Sequence, residues 1–136
     1  MYQHILVPTD GSELAHKAVA HGLALAKAVG ARVTVLTVEA LNIEDASNSR
    51  IEQAKEHAAS ILDVIASEAR AAGVACETLQ LIQLSPEMAI VNTAKERGCD
   101  LIVMASHGRT GIAAVLLGSV TANVLTRTLI PVLVCH

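Results

Sequence analysis

"HILVPTDGSELAHKAVAHGLALAKAVGARVTVLTV", His4 to Val38, holds two short aliphatic runs with an amphipathic stretch between them. The runs "HILVP" from His4 and "RVTVLTV" from Arg32 are rich in β-branched residues and alternate little, as strands covered on both faces do. Ser12 to Val29 instead puts Ala15, Ala18, Val19, Gly22, Leu23 and Ala26 on one face of a helix. Ser12 suits its N-cap and Gly30 its stop. Strand, helix and strand in this order read as a parallel βαβ unit with a right-handed crossover.

The alternation continues outward. "VACETLQLI" from Val74, "LIVMA" from Leu101 and "PVLVC" from Pro131 read as three further strands. Ser49 to Ala72 aligns Ile51, Ala54, Ala58, Ile61, Leu62, Ile65 and Ala69 on one helical face, with Gly73 just past its end. Glu52, Lys55, Glu56, Asp63 and Glu68 supply the wet face of that helix. Ser85 and Pro86 read as the N-cap and first residue of a third helix that Gly98 stops. A fourth helix starts at Gly118 and Ser119, with Val120, Val124, Leu125 and Leu129 expected to pack inward. Glu39 to Asn48 is a polar loop, and no repeat or linker interrupts the chain. The expectation is one α/β domain over residues 1–136, a five-stranded parallel sheet with four helices on its two faces.

Composition narrows the function classes. The chain is 52% hydrophobic with Tyr2 as its only aromatic residue, which argues against a stacking platform for single-stranded nucleic acid. The net charge of −3 and the lack of a basic run argue against nucleic acid in general. No apolar stretch approaches the length of a membrane span. The opening "MYQHILVPTD" lacks the pattern of a secretory leader, so a cytoplasmic location is expected, with no membrane partner. Cys76, Cys99 and Cys135 are odd in number and far apart, and read as buried free thiols.

Open parallel sheets bind ligands at the carboxyl ends of their strands. There this chain carries "VPTDGS", "TVEA" and "MASHGRTG". The start of the last helix adds unpaired N–H groups and a partial positive charge, a ready seat for phosphate. Gly118 lets an oxygen approach closely, Ser119 adds a hydroxyl, and Gly108 offers a further amide without a Cβ in the way. Asp10 can accept bonds from ribose hydroxyls or a base edge, or it can help to cap the first helix. Neither G-x-x-x-x-G-K-[ST] nor G-x-G-x-x-G after a strand occurs.

With these residues in place, the chain resembles the universal stress protein family over its full length. The segments "HILVPTDGS", "DLIVMASHGRTG" and "GSVTANVLTRTLIPVLV" carry the resemblance. The family signature G-x-x-G, nine residues, then G-[ST] reads here as Ala105-Ser106-His107-Gly108, Arg109 to Leu117, then Gly118-Ser119. The resemblance implies a Rossmann-like sheet of the adenine nucleotide alpha hydrolase-like kind and a homodimer formed through the last strand. It also implies ATP, or AMP or ADP, in the crevice, with any Mg²⁺ carried by the nucleotide. By position, Pro8, Thr9 and Asp10 would border the adenosine, the Val38 backbone would meet adenine, and Met104 would lie under the ribose or base. Gly108, Gly118, Ser119 and Val120 would hold the phosphates. Two residues depart from the pattern. Ala105 replaces the first signature glycine, which is harmless at negative φ and strained at positive φ. Leu84 stands where the family has glycine before the third helix.

His107 lies in the phosphate turn without a partner at catalytic spacing, and Arg109 beside Gly108 could reach a terminal phosphate. No catalytic residue and no metal-ligating spacing is expected. The leading expectation is an ATP-binding regulatory module of the stress response. The alternatives are a nucleotide-independent dimeric scaffold and a slow ATP hydrolase using the same crevice. A phosphorylated receiver fits poorly, because the third and fifth strands lack the required Asp and Lys.

Overall fold

The computed structural model describes residues 1–40, 47–108 and 117–136. Its elements alternate from end to end: β1 (His4–Thr9), α1 (Glu13–Val29), β2 (Arg32–Glu39), α2 (Asn48–Ala72), β3 (Cys76–Ile82), α3 (Pro86–Glu96), β4 (Leu101–Ala105), α4 (Ser119–Arg127) and β5 (Val132–Cys135). The strands form one parallel sheet in the order β3-β2-β1-β4-β5. Successive residues of the central strands face opposite layers, as the period of two demands. Ile5, Val7, Val33, Val35, Leu101 and Val103 join Val19 and Leu23 of α1 and Leu62 and Ile65 of α2. Leu6, Leu36, Ile102 and Met104 join Ile90 of α3 and Val124 of α4 on the other side.

The helix ends follow the local chemistry. Ser12, Ser47 and Ser85 each accept a bond from an amide three residues on, which ties down a helix start. Gly30 and Gly73 end α1 and α2 at φ of 76° and 73°, where a side chain would be strained. Gly22 serves a different purpose. A Cβ there would lie 2.7 Å from Val7 Cγ2, so its absence lets α1 settle directly on β1.

Several expectations need correction. β3 begins at Cys76 rather than Val74. As edge strands, β3 and β5 are only partly buried, not covered on both faces, and the Cys76 thiol is accordingly half-exposed. On α4 the inward residues are Thr121 and Val124; Leu125 is 40% exposed and Leu129 lies fully in solvent. The helix ends at Arg127, so the periodic pattern cannot carry Leu129 back to the core.

At the amino ends of the strands, His4 is buried. Its Nδ1–H donates to the Arg97 carbonyl at 3.1 Å, and its Nε2 meets Thr34 Oγ1 at 2.7 Å. Burial and the nearby Arg32 charge lower the His4 pKa, although Glu77 and Asp100 oppose them. The neutral ring therefore accepts from the Thr34 hydroxyl. Asp100 accepts the amides of Gln3 and His4 and so pins the start of β1.

Candidate functional site

Parallel strands all end on one side, and strand order reverses between β1 and β4. Loops leaving neighbouring strands there diverge to opposite faces and leave a crevice. A cavity of about 540 Å³ opens at this place, a size that suits a small-molecule site. Pro8 and Thr9 from β1, with Asp10 just beyond, form one wall. Val38 at the end of β2 and Met104 and Ala105 at the end of β4 contribute next. His107 and Gly108 follow β4, while Gly118, Ser119 and Val120 open α4. The structure thus brings these residues, drawn from four parts of the chain, to one cavity. Arg109 and the arm through residue 116 lie outside the described residues, as does most of the loop after β2.

Asp10 is held in a defined place. Its Oδ1 accepts the Ser12 amide at 2.9 Å, while Ser12 itself caps α1. Its Oδ2 lies against Gly108, where a built Cβ would approach to 2.5 Å. Gly108 therefore contributes space rather than special backbone geometry, since its φ is not positive. Ala105 is 8% exposed and ends a regular strand. Among the described residues no non-glycine residue has positive φ, so the methyl of Ala105 strains nothing. Leu84 is exposed and does not line the cavity.

The α4 start departs from the simple expectation in one respect. The Gly118 amide is not available to a ligand, because it donates to the Ser106 carbonyl at 2.6 Å. That bond brings the two glycine turns together, and a Cβ on Gly118 would press on His107 and Ser106 at 3.2–3.3 Å. As N-cap, Gly118 offers no side-chain acceptor to the helix. The first bond within α4 is donated by Ala122, so the amides of the opening turn left without a helical partner are those of Ser119, Val120 and Thr121, the first two nearest the positive end of the helix dipole.

The cavity has walls that the motif does not reveal. Leu36 and Thr37 precede Val38, Ile61 and Ala58 come from α2, and Ile90 comes from α3. The inward periodicity of α2 marks Ala58 and Ile61 as core positions, and their place at the rim follows from the sheet topology. Thr121 also lines the cavity and donates its hydroxyl to the Ala105 carbonyl at 2.8 Å. Apolar walls with a few polar groups at fixed positions suit a ligand with a flat apolar part and a charged part. His107 is half-buried, and its Nδ1–H donates to the Gly108 carbonyl at 3.3 Å. Among the described residues no group of three or more His, Cys, Asp or Glu side chains could hold a metal ion. A smaller hollow of about 360 Å³ at the opposite pole is bordered by the Arg97–Glu77 ion pair, closed at 2.7 Å. Among the described residues no helix is long and apolar enough to cross a membrane.

Comparison with known proteins agrees with this arrangement. The model of the universal stress protein family matches residues 1–136. Universal stress protein MJ0531 of Methanocaldococcus jannaschii is 33% identical, over 98% of this chain and 82% of its own length. Universal stress protein MJ0577 of the same organism is 32% identical, over 98% of this chain and 94% of its own. The solved structure of MJ0577 superposes with a TM-score of 0.89 at 34% identity, covering 99% of this chain and 96% of that one. A universal stress protein crystallised in complex with cAMP superposes with a TM-score of 0.79 at 32% identity, covering 99% and 97%. The family match over the whole chain and the full-length likeness to its members agree: the chain belongs to the universal stress protein family.

Proposed function

We propose that this protein is an adenine-nucleotide-binding module, with ATP as its ligand, that acts in a stress response by binding rather than by catalysis. The observation that carries this reading is the cavity itself, which sets apolar walls, the Asp10 carboxylate and the uncapped start of α4 around one space. The cAMP complex of a universal stress protein at 32% identity supports an adenine nucleotide as the ligand. Adenine would lie among Leu36, Val38 and Met104, the ribose hydroxyls would donate to Asp10, and the phosphates would take the amides of Ser119 and Val120 together with the Ser119 hydroxyl. Gly108 leaves room for the charged tail beside Asp10. Any Mg²⁺ would arrive with the nucleotide, and Arg109 would serve a terminal phosphate. No described residue offers the Lys of a Walker loop to neutralise phosphate charge, which weighs against efficient hydrolysis.

We place the protein in the cytoplasm as a homodimer paired through β5. That edge strand leaves Leu133 43% exposed, and an unpaired apolar edge favours pairing with its own copy about a twofold axis. Isothermal titration with ATP tests the ligand reading. Saturable binding at one site per chain is expected, and Gly118→Val, which pushes into Ser106 and His107, should abolish it. A well-folded protein that takes up no ATP at millimolar concentration would reject it.

A further inference from the structure

The opening of α4 is aimed at the cavity, and something must hold it there. Gly118 has no side chain to orient the first turn, and its amide bond to Ser106 fixes only one point. A second bond lies one turn further on, from Thr121 Oγ1 to the Ala105 carbonyl at 2.8 Å. Ala105 and Ser106 are consecutive at the end of β4, so the two bonds clasp one helical turn to one strand end. Val124 packs the body of α4 into the core, and the two bonds fix its first turn against the strand end at two points rather than one. The strand side of the clasp is itself anchored, because the Ser106 amide donates to the Cys135 carbonyl of β5 at 2.8 Å.

The choice of threonine is informative. A threonine hydroxyl in a helix ordinarily bonds back to a carbonyl of the preceding turn. Thr121 instead reaches across to a strand 16 residues earlier in the chain, and it is only 3% exposed. Packing alone would be served by valine, which has the same shape and no donor. We propose that Thr121 is the positioning residue that aims the Ser119 and Val120 amides at the phosphates, and so sets how strongly the cavity prefers ATP over adenosine. This rests on the nucleotide reading above. Two of the adenosine contacts, Asp10 and Val38, follow from β1 and β2 rather than from the clasp, so the phosphates depend on Thr121 more than adenosine does.

The test is isothermal titration of the full chain and of Thr121→Val and Thr121→Ser with adenosine and with ATP. The unaltered protein should bind ATP more tightly than adenosine. Thr121→Val should shrink that preference by about tenfold, the worth of one buried hydrogen bond, with ATP losing more affinity than adenosine. Thr121→Ser keeps the donor and should keep the preference. A Thr121→Val protein with an unchanged ratio, or one that loses adenosine as much as ATP, would overturn the role of Thr121 and leave the nucleotide reading standing. If Thr121→Val does not fold, Thr121→Ala against Thr121→Ser isolates the same hydroxyl. An unaltered protein that binds neither ligand would sink both readings together.

Discussion

Gly108→Ala adds one methyl to the cavity wall, directed at Asp10. A Cβ built there lies 2.5 Å from Asp10 Oδ2, against the 3.4 Å at which ordinary contact begins. The carboxylate must retreat by about 0.9 Å, the difference between those two distances. Its Oδ1 is tied to the Ser12 amide at 2.9 Å, so a retreat stretches that bond and turns the carboxylate away from the crevice. Backbone strain plays no part, because Gly108 does not have positive φ. Asp10 is only partly buried, so folding should lose little, about 1 kcal/mol, at the low end for an overpacked contact. Nucleotide binding should suffer more. Hydrogen bonds to a charged group contribute about 1.5–3 kcal/mol, so losing those from the ribose weakens ATP roughly ten- to hundredfold. A double-mutant cycle isolates the cause. In an Asp10→Ala background the methyl meets no carboxylate, and Gly108→Ala should then cost nothing further in titration or in thermal melting. Equal losses from Gly108→Ala in both backgrounds would refute the collision as the reason for glycine at this position.

Other perturbations follow from the same contacts. Gly22→Ala gains about 1 kcal/mol of helix propensity but drives a methyl into Val7, an overpacking cost of about 1–3 kcal/mol. Denaturant titration should find it less stable, and adding Val7→Ala should relieve the clash. His4 is kept neutral by burial and by Arg32, with its pKa below the ordinary 6.5. The unfolded chain therefore takes up a proton before the folded one does. Stability should be full above about pH 6.5 and fall as pH drops below it, until the folded imidazole is itself protonated. His4→Gln should flatten the melting temperature over that window. Leu133→Lys puts a charge on the exposed edge of β5, and sedimentation equilibrium should then show monomer, against the dimer proposed for the unaltered protein.

The order of elements and most helix ends were legible in the sequence, because capping residues and periodicity are local. Ser12, Gly30, Gly73 and Ser85 each act where the pattern places them. The residues around the cavity were legible through the signature and the strand ends, since topology alone sends those ends to one side. Non-local facts were not legible. Periodicity extended α4 to Leu129 because it does not register where the helix runs out of sheet to cover. The bond that occupies the Gly118 amide and the hydroxyl that Thr121 sends to Ala105 both cross from α4 to β4. No spacing rule within either segment encodes such a pairing. The same holds for the α2 wall at Ile61, where an inward residue at the sheet centre and one at the cavity rim look alike in sequence.

The most direct measurement is the amide spectrum of the isotope-labelled protein titrated in parallel with adenosine and with ATP. The difference between the two ligands isolates the phosphates. If they rest on the first turn of α4, that difference should concentrate at Gly108, Ser119 and Val120 and leave the amino-terminal pole around His4 unmoved. A difference spread evenly, or centred away from those amides, would contradict a phosphate seat at the helix start.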